Sequence, residues 1–198
     1  MGRGTGVRAR ATAESRARVL DAARTVLSDP AGDAWGMETI AAAAGVTRMT
    51  VYNQFGSRTA VIEAVVDQVV ARDRMDRLVD GTSELEPLDA VRAALVTTCR
   101  FWHAERPLLR RLFATAYTEP AVADLLARRE GWRREQLGSL LGRVDAALRE
   151  DDALLDVVLA MTSFPAYDRL AATAAAPDAA ADVLHRLLAP ALSGPAGG

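Results

Sequence analysis

Between residues 40 and 61 the chain reads Ile-Ala-Ala-Ala-Ala-Gly-Val-Thr-Arg-Met-Thr-Val-Tyr-Asn-Gln-Phe-Gly-Ser-Arg-Thr-Ala-Val. The chemistry in this stretch is recognition. A helix beginning near Thr47 turns 100° per residue, so Thr47, Thr50 and Val51 fall on one side, while Arg48, Met49, Tyr52 and Asn53 are centred about 170° away. One face therefore offers a cation, a thioether, an aromatic and an amide together. That set suits the major groove of DNA, where Arg grips guanine, Asn grips adenine and an apolar group meets the thymine methyl. Gly45 separates this helix from the Ala-rich one before it, because a tight turn between crossing helices favours a residue that tolerates positive φ. The bland alternative is an ordinary amphipathic helix in an α-helical protein.

The elements around this stretch are all expected to be helical. Val19, Leu20, Ala23 and Leu27 recur at helical spacing in a first helix from Ser15 to Leu27, which the turn Ser28 to Asp33 ends. A second helix is expected over Met37 to Ala44 and a third over Thr47 to Asn53, with Ser57 capping a fourth that reaches Val79. Beyond the polar break Gly81 to Pro87 the pattern predicts helices from Leu88 to Glu105, Pro107 to Ala116 and Ala121 to Arg149. Another follows from Asp151 to Ala175, kinked or cut short by Pro165, and a last from Asp178 to Leu188. No strand pattern, internal repeat or metal-type Cys/His spacing appears. The expected fold class is all-α, with a flexible basic arm over 1–13, a helix-turn-helix domain over 14–58 and a helical regulatory and dimerisation domain over 59–198.

Charge divides in the same place. Residues 1–58 hold eight Arg against five acids, a balance of +3, whereas the rest of the chain carries −5. A basic module on an acidic body fits a DNA reader with a separate regulatory part. Arg3, Arg8 and Arg10 are placed to follow a DNA backbone or to remain a solvated tail. Every basic side chain other than the two His is Arg, so the Arg count reflects composition as well as phosphate binding. The single cysteine, Cys99, excludes an intramolecular disulfide and fits a reducing cytoplasm, with burial as its ordinary role. No apolar run approaches the roughly 18 residues of a membrane span, and the N-terminus lacks the apolar core of a signal peptide. A cytoplasmic protein without a membrane partner is expected. His103 and Glu105 form the only imaginable acid/base pair, with no nucleophile or metal ligands beside them, so no enzyme activity and no cofactor are expected.

The run Ile40-Ala41, Ala44-Gly45-Val46, Thr47, Thr50-Val51-Tyr52, Phe55 and Arg58 resembles the DNA-binding signature of the tetracycline-repressor (TetR) family, over roughly residues 14 to 70. Three positions depart from it: Met49 stands where a small residue or Pro is common, Gln54 where His is common, and Arg58 where Lys is common. The resemblance implies a three-helix DNA-binding domain and a larger helical domain that dimerises and holds an effector. It places Arg48, Met49 and Asn53 at base edges, with Tyr52 at methyl and phosphate. Thr50, Gln54 and Arg58 fall on phosphates, and Glu38 and Thr39 where a further contact is sometimes made. The partners it implies are a double-stranded DNA operator of pseudo-palindromic sequence, a second copy of the chain, and a small apolar or aromatic effector. Dimer contact is expected through Leu154, Val158 and Met161 on one helix and Val183, Leu184, Leu187 and Leu188 on another; the same stripes would also serve an intrachain core. Trp102, His103, Phe113, Tyr117, Trp132, Phe164 and Tyr167 are the candidates to line an effector pocket or, alternatively, a plain aromatic core. Release of a promoter on ligand binding is the implied mechanism. The rival readings are an architectural DNA-binding protein of the same fold without an effector, and an interaction module that no longer binds DNA.

Overall fold

A computed structural model describes residues 3–30, 35–73 and 75–192, without the side chains of 3–9 and 76. The regular structure is helical throughout, and the described residues contain no strand. The helices are α1 (Arg3–Ser28), α2 (Met37–Ala44), α3 (Arg48–Phe55), α4 (Arg58–Arg72), α5 (Pro87–Ala104), α6 (Arg106–Ala116), α7 (Pro120–Leu141), α8 (Ala146–Glu150), α9 (Asp152–Met161), α10 (Phe164–Leu170) and α11 (Pro177–Leu192). Two 3-10 turns, Met75–Arg77 and Asp80–Thr82, lie between α4 and α5.

The expected limits hold for α2 and shift elsewhere for identifiable reasons. Residues 3–13, read as an arm, are helical: Ala and Arg are good helix formers, and Arg10 Nε meets Glu14 Oε1 at 2.9 Å one turn on. The contacts foreseen for Arg3 and Arg8 lie outside the described residues, as do residues 31–34 of the first turn and the Gly/Pro tail over 193–198. α4 stops at Arg72 rather than continuing to Val79, giving way to the 3-10 turns. The long helix foreseen to Arg149 ends at Leu141. Gly142 passes so close to its neighbours that an added Cβ would lie 3.1 Å from the Gly138 carbonyl oxygen and 3.2 Å from Arg149 Cβ. Asp145 then caps α8, accepting from the Ala147 amide at 2.9 Å. Pro165 acts by position, standing in the first turn of α10 behind the N-cap Ser163.

The chain forms two compact units, Met1–Val69 with Pro107–Ala123, and Val70–Arg106 with Asp124–Gly198. In the first, α1 packs on α2 and α2 on α3. Val19, Ala23, Leu27, Ile40, Val51, Val61 and Ile62 are fully buried there, as are Leu108 and Leu112 of α6. In the second, α5 packs along α11. Small residues at the contact, Ala90 and Ala94 on α5 with Ala180 and Ala181 on α11, are buried beside Leu95, Leu184 and Leu188. Arg92 reaches Asp182 at 2.9 Å, and Arg100 takes Asp178 through two bonds of 2.7 and 2.6 Å along the edge of this pair.

Candidate nucleic-acid interface

The turn between α2 and α3 is built by backbone chemistry that the sequence specifies. Gly45 adopts φ +66°, the left-handed region, and the Val46 amide donates back to the Ala41 carbonyl at 3.0 Å, closing the end of α2. Thr47 is extended and its Oγ1 accepts from the Thr50 amide at 3.1 Å, so α3 begins at Arg48. Ile40 and Val51 are fully buried and fix the rotation of α3 about its axis. In consequence Met49 is 63% and Tyr52 57% exposed on the same face. Arg48 and Asn53 are exposed beside them, Thr39 is exposed on α2, and Thr50 is half-buried.

Arg48 is not idle. Its Nε lies 2.9 Å from Glu38 Oε1, with both side chains 69% exposed. Exposed pairs of this kind are worth about 0–1 kcal/mol, so a better acceptor displaces Glu38 at little cost. Gln54 and Arg58 behave differently and turn into the unit. Gln54 Nε2 donates to Ser15 Oγ at 3.0 Å, and the Gln54 backbone carbonyl accepts from Arg16 Nη1 at 2.8 Å. Arg16 also stacks over Phe55, 4.1 Å from the ring centroid, so the end of α3 is fastened to α1. Arg58 Nη2 donates to Glu119 Oε1 at 2.5 Å while its guanidinium stands 3.6 Å from the Trp35 ring centroid. Ser15, Arg16, Trp35 and Glu119 were missed in the sequence because each acts through a contact distant along the chain.

The seven residues considered for an effector pocket do not surround one cavity. Phe113 and Tyr117 belong to the first unit, and Tyr117 is 92% exposed. Trp102 is buried against Phe101 and Phe164, at centroid distances of 5.1 and 5.9 Å, and its indole N–H donates to the Thr162 carbonyl at 3.1 Å. His103 Nδ1 is 3.1 Å from the Tyr167 hydroxyl, whose pKa is raised first by burial. Phe101, Trp102, Phe164 and Tyr167 are all buried and belong to the core. Trp132 alone of the seven lines a cavity in the second unit, of about 60 Å³. Met75, Leu78 and Val79 from the 3-10 region, Leu95 and Thr98 of α5, Arg133, Leu137 and Leu140 of α7, and Thr162 complete most of its wall.

Among the dimer candidates, Val158, Leu184 and Leu188 are buried within the chain. Leu154, Met161 and Val183 are half-buried, and Leu187 is 59% exposed; Val157, not foreseen, is 54% exposed on α9. Helical spacing identifies an apolar stripe but not whether its own chain covers it. Glu105 is buried and ion-paired with Arg72, whereas His103 is exposed, so the imagined acid/base pair is engaged elsewhere on both sides. Cys99 is 1% exposed, and its thiol is pushed up to about 11, chiefly by burial with a smaller contribution from the Asp178 charge, so it is an unreactive core group at neutral pH.

A glycine-closed turn that sets a short helix with its Arg, Met, Tyr and Asn outward is a helix-turn-helix, the class of module that presents one helix to the major groove. Residues 19–65, the helix-turn-helix part of the chain, match the family described as bacterial regulatory proteins, tetR family. An uncharacterised helix-turn-helix-type transcriptional regulator of Mycobacterium tuberculosis is 32% identical over 121 residues, 61% of this chain and 58% of that one. The helix-turn-helix-type regulator AlkX of the same species is 33% identical over 111 residues, 56% of this chain and 46% of that one. This chain's match thus spans about half the length of these relatives. A crystal structure of a TetR-like transcriptional regulator from Rhodococcus sp. RHA1 is similar over 91% of this chain and 96% of that one, at 25% identity and a TM-score of 0.68.

Proposed function

We propose that the chain is a ligand-responsive, sequence-specific repressor that binds a pseudo-palindromic operator as a homodimer in the cytoplasm. The observation that carries this reading is the outward face of α3. Arg48, Met49, Tyr52 and Asn53 stand exposed on a helix whose buried side is locked by Val51. In this reading Arg48 and Asn53 take base edges, Met49 and Tyr52 take thymine methyls, and Thr50 and Thr39 fix the register on phosphates. One such helix reads only a few base pairs; two, spaced about 34–36 Å apart by a two-fold axis, read a palindrome. Val157 and Leu187, outward on α9 and α11, with half-buried Leu154, Met161 and Val183, supply apolar surface for the partner copy.

The effector reading rests on the cavity beside Trp132. Its volume, about 60 Å³, is far below the roughly 300–1,000 Å³ of sites for drug-sized ligands, so an effector must push the walls apart. The least regular wall is Met75 to Val79, three residues beyond the end of α4. An apolar or aromatic compound that prefers the displaced wall shifts the protein toward that state by its differential affinity alone, and α4 carries the change toward the helix-turn-helix. The rival reading is a DNA-binding architectural protein of the same fold without an effector.

Fluorescence anisotropy on the DNA upstream of the gene, with a salt series and Tyr52→Ala as control, tests the first reading. Tight, salt-sensitive and sequence-selective binding that the variant loses is expected. Equal binding to random DNA at every salt concentration refutes a specific repressor, and many dispersed sites with no stabilising ligand point to the architectural alternative.

A further inference from the structure

Arg58 opens α4 inside the first unit, and its charge invites a phosphate. The structure occupies the guanidinium otherwise. One edge donates to Glu119 at 2.5 Å, one face lies 3.6 Å from the Trp35 ring centroid, and Nε is buried with no hydrogen-bond partner among the described residues. The side chains of Arg58 and Glu119 are each 36% exposed. A guanidinium that stacks on an indole and bonds a carboxylate is held in both its preferred directions. Sending it to DNA would break both contacts and leave a bare carboxylate beside the start of α4.

The three residues come from separate places. Trp35 precedes α2, Arg58 begins α4, and Glu119 sits at the corner between α6 and α7. A second tie binds the same elements: Arg111 of α6 donates to the Asp29 carbonyl at the end of α1, at 2.8 Å. Pro107–Ala123 accordingly falls in one compact unit with the helix-turn-helix.

We propose that the α6–α7 corner is a working part of the DNA reader, and that Arg58 and Glu119 are a positioning pair that orients the start of α2 and α4, and through them α3, without touching phosphate. This rests on the reading of the unit as a DNA binder. α7 runs on into the second unit, so the pair sits on one of the three covalent connections between that unit and the reader, beside those in α4 and at the start of α6.

The test is operator binding by the full chain over a salt series, with Arg58→Gln, Glu119→Gln, the double variant, Arg58→Lys and Tyr52→Ala. Each single Gln variant is expected to weaken binding by a similar factor, roughly threefold or more, with the double no worse than either, as coupled partners behave. The slope of log affinity against log salt stays at its wild-type value. Lys keeps the charge but not the planar stack and fork, so it does not restore binding. A phosphate contact contributes about 0.9 to that slope. A slope smaller by about one in Arg58→Gln, rescue by Lys, or full-strength binding by Glu119→Gln overturns the proposal. If wild type and Tyr52→Ala bind all DNA alike, the DNA-binding reading itself falls and the positioning role falls with it; the Tyr52 control tells the two failures apart.

Discussion

The recognition face of the first unit and the aromatic cluster of the second place their polar groups differently. In the first, α3 carries Arg48, Tyr52 and Asn53 outward, and what is buried beneath them is aliphatic. In the second, Trp102, Arg133 and Glu105 turn polar groups inward, where they are satisfied. The Trp102 indole and Arg133 both donate to the Thr162 carbonyl, at 3.1 Å each, and Glu105 is 1% exposed against Arg72. On the function proposed above, the difference follows from what each unit would meet. DNA is a preformed surface with a fixed donor and acceptor pattern, so a reader needs exposed side chains on a rotationally locked helix. A small apolar molecule has to be enclosed, so the residues that shape its cavity are also the residues that hold the fold.

That contrast predicts opposite phenotypes, and the largest effect belongs to the second unit. Trp102→Ala removes a buried indole together with its hydrogen bond to Thr162, and large-to-small changes of this kind cost about 3–5 kcal/mol. Urea unfolding of the full chain measures it. A loss below about 1 kcal/mol would show that the aromatic cluster is not a packed core and would remove the contrast.

Arg48→Ala is the mirror image. It is expected to cost about 1–3 kcal/mol of discrimination at one base pair of the operator. Melting temperature stays nearly unchanged, because the only ion pair shown for Arg48, with Glu38, is exposed on both sides. Competition binding against single-base operator variants reads the first quantity and a thermal melt the second. Undiminished discrimination would remove Arg48 from the base edges.

The same contrast explains what was legible in the sequence. The helix-turn-helix was open to reading because its signals are local: Gly45 for the turn, Thr47 for the cap, and the period that puts Val51 in and Tyr52 out. Charge and residue type also singled out Arg48, Met49, Tyr52 and Asn53, which the structure leaves exposed. The roles of Gln54 and Arg58 were not legible, since Ser15 and Glu119 lie 39 and 61 positions away and no local pattern announces them. The cavity was harder still. Aromatic residues mark apolar interior, yet whether four of them close up or leave a void depends on the packing of α5, α7 and the 3-10 turns together. The breaks at Gly142 and after Arg72 were hidden for the same reason, because a helical pattern continues through both in sequence.

Gly45→Ala sharpens the local half of this argument. Nothing lies within 4 Å of where its Cβ would stand, so steric crowding contributes nothing. The left-handed φ of +66° remains, and a non-glycine residue there costs roughly 1–2 kcal/mol. Asn, which tolerates this conformation better, should cost less than Ala. Equal stability of Gly45→Ala and wild type in urea would mean that the turn relaxes, and operator affinity should then fall as α3 shifts.

The smallest effect is expected at the seam of the second unit, where Arg100 holds Asp178 through two hydrogen bonds. Those bonds, ahead of the charges of Arg100 and Arg92 themselves, keep the Asp178 carboxyl below the ordinary aspartate value of about 3.9. A carboxyl whose folded pKa is depressed stabilises the fold above its unfolded value and loses that contribution as the pH falls through the folded value. Asp178→Asn should therefore lower the urea midpoint slightly at neutral pH and match wild type once the solution is acidic enough to protonate both states. Both side chains are about half exposed or more, so solvent screens the pair and the difference stays small. A gap that persisted in acid would mean that Asp178 acts by its place in the first turn of α11 rather than by charge. The Arg100–Asp178 pair would then add nothing by its charge to the α5–α11 contact, which would rest on the buried Ala90, Ala94, Ala180 and Ala181 and on the Arg92–Asp182 pair.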